Sequence, residues 1–204
     1  MPRRARICLP GVPLHIVQRG HNRRPCFFAE SDFRYYLYLL REQSCRQGCA
    51  IHAYVLMTNH IHLLLTPEES DSAAKMVKQV GQRYVQHVNR WYARGGTLWD
   101  GRFKSSLAKD ENYILTCYRH IELNPVRAGI VSIPGEYPWS SYLANAEGIA
   151  DPIVTPHEQY LRLGSTGRSR LREYANLLRT GLDEQTLHRI RFAVNGNHVL
   201  QLKA

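Results

Sequence analysis

The chain has no run of about 18 apolar residues, the length a membrane-spanning helix requires. It is also poor in acid, with 17 Asp and Glu against 27 Lys and Arg in 204 residues. The first absence excludes a helical membrane span, so no membrane partner is expected. The second leaves a formal net charge of +10, an extended positive potential that attracts phosphate chains. The opening MPRRARICLPG is basic and lacks the apolar core of a secretory signal. A cytoplasmic, nucleoid-associated protein is therefore expected. There is no CxxC pair either. The five cysteines, Cys8, Cys26, Cys45, Cys49 and Cys117, are odd in number, and Cys45 and Cys49 lack a second pair to complete a tetrahedral thiolate site. They read as reduced, mostly buried thiols.

What is present is periodicity. LHIVQRG, from Leu14 to Gly20, alternates apolar and polar residues and reads as a first strand, followed by a basic loop, HNRRP. Ser31 and Asp32 can cap a helix running to about Gln47, with Tyr36, Leu37, Leu40, Tyr35 and Leu39 on its apolar face and Gly48 as its stop. AIHAYVLM (Ala50 to Met57) and HIHLLLT (His60 to Thr66) are joined by Thr58-Asn59, a two-residue connection suited to a hairpin. Val77, Val80, Tyr84, Val88 and Trp91 recur at spacings of three and four, a second helix closed by Gly95-Gly96. Tyr84, Trp91 and Tyr92 could stack on bases, but their helical spacing points to core packing.

A short strand follows from about Arg102 to Ala108. A third helix, capped by Asp110, runs from Glu111 to near Asn124, where Pro125 closes it. The order β-α-β-β-α-β predicts an α+β fold of the ferredoxin-like, split-βαβ kind, an antiparallel sheet with two helices on one face, plus a further helix and a helical tail. Short helices are expected near Ser169 to Arg179 and Asp183 to Ala193. One principal domain over 1–145 and a basic tail over 146–204 is the division this pattern suggests.

His60 and His62 are two apart in a strand, so both imidazoles project from one face while Ile61 turns into the core. Two aligned nitrogens can share a divalent ion. An HxH pair alone is weak, because ten histidines are present and a polar sheet face explains it equally well.

Several segments together carry a resemblance: PGVPLHIVQRGHNRRPCFF, YVLMTNHIHLLLTP, YILTCYRHIELNPVRAGIV and YPWSSY. Over about Pro10 to Leu143 the chain resembles the REP-associated tyrosine transposases, relatives of the single-tyrosine HUH transposases of small insertion sequences. The resemblance implies a ferredoxin-like nuclease that binds a hairpin in single-stranded DNA, the repetitive extragenic palindrome. Such a nuclease cuts beside the hairpin and keeps the 5′ phosphate covalently on a tyrosine. It implies Mg²⁺ or Mn²⁺ as the only cofactor, polarising the scissile phosphate, and a monomer or homodimer. Carried over residue by residue, it makes His60, His62 and Asn124 the metal ligands.

The family's pattern on the third helix is a tyrosine four residues before the amide ligand, on the same helical face. That position here is His120. Tyr118 lies two residues before His120, about 200° around the helix from it and so facing away from Asn124, and Tyr113 lies about 16 Å along the axis from Asn124, so neither replaces the missing tyrosine. His120 is thus the candidate catalytic residue, with three readings open. It is a nucleophile forming a phosphoramidate, or a further metal or phosphate contact in a silent hairpin-binding member, or the mark of an inactivated tyrosine enzyme.

Arginines cluster as Arg3, Arg4 and Arg6, as Arg19, Arg23 and Arg24, and in the tail as Arg168, Arg170, Arg172 and Arg179. The first two groups flank the first strand and are the candidate DNA-binding residues. Arg127, within NPVRAG, is expected instead to fix that turn.

Overall fold

A computed structural model describes residues 7–200; Arg3, Arg4 and Arg6 fall outside the described residues. Alternating side chains in LHIVQR build β1 (Leu14–Arg19). Chain reversal at Thr58-Asn59 joins β2 (Cys49–Met57) to β3 (His60–Pro67), with Met57 facing His60 across the turn. β4 (Lys104–Ala108) completes an antiparallel set, and β5 (Val199–Leu200) adds two residues parallel to β4. The sheet order is β2-β3-β1-β4-β5. β3 lies between β1 and β2, which makes this the split-βαβ, ferredoxin-like arrangement that the element order predicts.

α1 (Glu30–Arg46) and α2 (Ser72–Trp91) connect these strands and cover one face. α1 starts where Asp32 reaches back, its Oδ2 accepting from the backbone N–H groups of Phe28 (2.9 Å) and Ala29 (3.0 Å), two donors that a helix start leaves orphaned. Period-two alternation then sorts the strands. Leu14, Ile16, Ile61, Leu63 and Leu65 join Tyr36, Leu39, Val80 and Tyr84 in one core. A one-residue irregularity at Ile51/Ala53 shifts the register of β2, so Ile51 and Tyr54, three apart, both face this core. Tyr84 is fully buried as its spacing predicts; Trp91, on the same helix, is 73% exposed and packs no core. The apolar face of α2 stops one turn short of its end.

Val17, Val55, Met57 and Leu64 point the other way, into a second core built with α3 (Glu111–Glu122). The nearly continuous apolar runs AYVLM and LLL fit a sheet covered on both faces. The chain winds on past Glu122. Leu123 interrupts the helix, and a short α4 (Asn124–Arg127) follows with Pro125 in its first turn. Pro125 was expected to close the helix; it starts the next turn instead, at a position where its missing N–H has no helical partner to lose.

After a loop that carries Tyr137 and Trp139 come α5 (Tyr142–Glu147), α6 (Glu158–Leu161), α7 (Gly167–Arg179) and α8 (Glu184–Gly196). Thr166 and Asp183 cap α7 and α8 by accepting from Ser169 N and Thr186 N. Tyr174, Leu178, Ile190 and Val194 from these helices share the second core with Ile114, Cys117 and Ile121 of α3.

Candidate active site

The hairpin β2-β3 carries His60 and His62, and both stand on the α3 face because Ile61 between them is buried in the first core. β1 runs antiparallel beside β3, pairing Val17 with His62 and Arg19 with His60. His15, two residues before Val17, therefore lies diagonal to His62 on the same face. A nitrogen of each ring meets there: His15 Nε2 is 2.9 Å from His62 Nδ1, sharing one proton, with the rings stacked at 5.2 Å. From the opposite side α3 lowers His120 onto this pair, its ring edge-on at 5.5 Å to His15 and 5.3 Å to His62. One ligand atom each of His15, His62 and His120 lies within 4.8 Å of the others. His60 stands beside His62 with ring centroids 5.0 Å apart.

Burial sets the charge of this group. Desolvation pushes His15 down to about 3 and, helped by the nearby Arg19 charge, His60 down to about 4. His62 and His120 are held well below the ordinary imidazole value, first by burial and then by the neighbouring histidines and Arg127. At neutral pH the four rings are uncharged and keep lone pairs for a ligand. His60 Nδ1 donates to Asn59 Oδ1 at 2.6 Å, which leaves its Nε2 as the free lone pair. A set of neutral imidazoles with no carboxylate fits a divalent transition ion better than Mg²⁺, which favours oxygen ligands.

Arg127 closes the α3 side. Its Nη2 donates to the His120 carbonyl at 2.6 Å and lies 3.4 Å from His120 Nδ1. Burial and the charge of Arg191 lower it to about 10, so it is a cation at neutral pH and favours an anion beside His120. Asn124 is half-buried at the start of α4, one turn beyond His120. The bonds from Leu123 N to Arg119 O and from Arg127 N to Leu123 O carry the helical winding through the break. Tyr118 and Tyr113 are buried elsewhere. Tyr118 stacks on Tyr160 and accepts from His157 N, and the Tyr113 hydroxyl meets Ser106.

Beneath His120 a carboxylate fixes the helix. Glu122 accepts from Ser141 Oγ (2.6 Å), Asn145 Nδ2 (2.7 Å) and the Tyr174 hydroxyl (2.6 Å). Burial raises it to about 7 against the pull of those three donors. It ties α3 to α5 and α7.

Arg19, Arg23 and Arg24 are exposed, and their loop is fastened to the histidine hairpin. Gly20 N donates to Asn59 O at 2.8 Å, Cys26 N to Thr58 O at 2.8 Å, and Asn59 Nδ2 to Arg23 O at 3.1 Å. A Cβ at Gly20 would lie 2.3 Å from Arg24 O, so the tight approach requires glycine. Asn59 thus holds the basic loop with one end of its amide and orients His60 with the other.

Sequence reasoning missed His15 and Glu122, and gave Arg127 only the role of fixing the NPVRAG turn, where the structure has it bonded back to the His120 carbonyl. His15 shares parity with Val17 in the predicted strand, but only the register of β1 on β3 shows that its ring meets His62.

Residues 8–124 match the family of IS200-like transposases. Over 100 residues, 44% of this chain, the sequence is 27% identical to a protein of Haemophilus influenzae described as a REP-associated tyrosine transposase, and it spans 57% of that protein's length. A solved structure described as a REP-associated tyrosine transposase bound to a REP hairpin shares the fold, with a TM-score of 0.64 and 17% identity, covering 77% of this chain and 93% of that one. With more than half its length matched, from Cys8 on the approach to β1 through Asn124 after α3, this chain belongs to the IS200-like transposase family.

Proposed function

We propose that this chain recognises REP-type hairpins in single-stranded DNA and presents the adjoining phosphate to a divalent ion held by His60, His62 and Asn124. One observation carries the reading. The exposed arginines of the 19–24 loop are bonded through Asn59 to the turn that bears His60, so a DNA backbone lying on them arrives next to the neutral imidazoles. Mn²⁺ or Mg²⁺, when bound, would stabilise charge developing on the phosphoryl oxygens. The chain's own groups do the rest: Arg19, Arg23 and Arg24 neutralise backbone phosphates, Asn59 orients His60, and Arg127 places a cation beside His120.

His120 is 4% exposed, with its ring wedged against His15 and His62. This favours a hairpin-binding member that holds the phosphate without being cut into a covalent intermediate by the residue at position 120. A second reading rests on the neutral state of the same ring. Its nitrogen lone pair attacks phosphorus, the P–O3′ bond breaks and the 3′ oxygen leaves with the bonding pair; the other ring nitrogen releases its proton, one proton is taken up by the 3′ oxygen, and the 5′ phosphate stays on His120 as a phosphoramidate.

The test is to incubate the chain with an end-labelled single-stranded REP hairpin and Mn²⁺. Binding without cleavage, and cleavage with an acid-stable adduct after His120→Tyr, is expected. An acid-labile adduct on the unaltered chain would establish the second reading. Failure to bind the hairpin would sink both.

A further inference from the structure

The sheet face opposite the histidines carries a cavity that the chemistry above does not use. It has a volume of about 600 Å³ between α2 and the loop leading into β4, within the range of ligand clefts. Its walls include Val77 and Val85 from α2, and its floor includes Gln18 of β1 and Trp99. Gln18 faces this way because Leu14 and Ile16, of the same parity, do. Two polar atoms in that floor are buried without a partner: the Trp99 indole Nε1 and the Gln18 Oε1. Trp99 is 5% exposed and Gln18 7%. Buried donors and acceptors are nearly always paired, so an orphan N–H and an orphan C=O in the floor of one cavity mark a place for a ligand bearing an acceptor and a donor.

Gly81 brings these groups together. The point its Cβ would occupy lies 3.6 Å from Trp99 Nε1 and 4.0 Å from Gln18 Nε2. A larger residue on this turn of α2 would fill the space in front of both. Lys78 and Arg102, exposed, also line the cavity, and the acidic residues of the chain contribute nothing to its lining. The loop bearing Trp99 is joined to the basic loop through Gly20, which bridges Trp99, and through His21 N, which donates to Leu98 O at 2.9 Å. Gly20 thus donates to the turn that carries His60 and lies paired opposite Trp99, where the bonds are made by its neighbours, His21 N to Leu98 O and Asp100 N to Arg19 O.

We propose that this cavity receives one unpaired nucleobase of the bound DNA. Its flat apolar body would lie between the α2 side chains and the floor, and its Watson–Crick or Hoogsteen edge would pair with Trp99 Nε1–H and the Gln18 amide. Lys78 and Arg102 would meet the flanking phosphates. Every base carries an acceptor beside a donor on such an edge, and a phosphate chain crossing the Arg19–Arg24 loop can reach this side of the sheet as readily as the other. The inference rests on hairpin DNA being the partner.

The test uses the full chain and a REP-type hairpin with single-stranded flanks, in which each unpaired nucleotide is replaced in turn by an abasic residue. Affinity is measured for the unaltered chain, for Trp99→Phe and Gln18→Met, which preserve bulk, and for Gly81→Leu, which fills the cavity; thermal melting confirms folding of each. One position is expected to lose affinity about tenfold on base removal with the unaltered chain, and to lose nothing further in the variants. If the hairpin binds but no position is sensitive, or if the sensitive position remains equally sensitive in all folded variants, the cavity is not a base site while the hairpin reading stands. If the unaltered chain binds no hairpin, both fall.

Discussion

The two faces of one sheet have been built by opposite rules. Toward α1 and α2 the strands present Leu14, Ile16, Ile61, Leu63 and Leu65, and apart from Gln18 this strand face is apolar. Toward α3 the same strands present His15, His60 and His62, with His120 and Glu122 brought down by the helix. Neighbouring residues therefore belong to different chemistries: Ile61 closes a core while His60 and His62 leave lone pairs for a ligand. The comparison teaches that this sheet tolerates a buried polar layer because each of its members is neutral or tied. The imidazoles are discharged by burial, and Glu122 is satisfied by three donors.

The sharpest way to break the comparison is catalytic. If His60 holds the ion as proposed, hairpin cleavage by His120→Tyr with Mn²⁺ should fall at least about a hundredfold when His60→Ala is added, whereas Leu63→Val on the other face should leave the rate of folded protein unchanged. Single-turnover gels read the difference; cleavage surviving without His60 would remove it from the ligand set.

The next effect is on stability. Leu63→Ala should cost about 3 kcal/mol in urea unfolding, the price of a cavity in a packed core. Its neighbour His62→Leu should cost about 1 kcal/mol, because only the His15 ring loses a partner. Millimolar Mn²⁺ should raise the melting temperature of the unaltered chain and of Leu63→Ala but not of His62→Leu. Equal costs at the two positions would mean the faces are energetically alike.

Acid should separate the faces further. His15 and His60, together with His52, a buried ring on β2 whose nitrogens meet Thr155 O and Thr66 Oγ1, titrate near 3 to 4 when folded and near about 6.5 when unfolded. The unfolded chain thus takes up more protons as pH falls below 6.5, and the stability these groups hold at neutral pH drains away toward pH 4. Glu122 works in reverse: raised to about 7 from an ordinary 4.5, it gains stability as pH falls from 7 toward 4.5. Three histidines outweigh one carboxyl. The metal-free protein should lose several degrees of melting temperature between pH 7 and pH 5, and a flat profile in calorimetry would contradict the buried neutral layer.

The smallest effect is on the rim. Arg23→Ala and Arg24→Ala should each reduce the salt slope of hairpin binding by about one, measured by titration at several NaCl concentrations. An unchanged slope would take that loop off the DNA path.

Much of this was legible in one dimension. Strand alternation put His60 and His62 on one face and Ile61 on the other, and the caps and glycines bounded the helices to within a few residues. What failed had local causes. Trp91 keeps the helical spacing but lies beyond the end of the packed face, so periodicity overstated its burial. Pro125 looked like a terminus, yet a proline in the first turn of a helix costs nothing, and α4 starts there.

The sequence by itself determined the α+β order of elements, the HxH face and the basic loop beside β1, because these depend on periodicity and spacing along the chain; the expectation at His120 came from the resemblance alone. Only the tertiary structure decided that His15 joins His62 and His120, that Arg127 caps that group, that Asn59 links the basic loop to His60, and that Trp99 and Gln18 share a cavity on the far face. Most of these depend on strand register and helix docking, which bring together residues far apart in sequence, as in the His15–His62 pair with its separation of 47; Arg127 reaches His120 from only seven residues away, but through the turn that follows α3. The spacing of residues along a strand says which way a side chain points; the pairing of strands says what it meets.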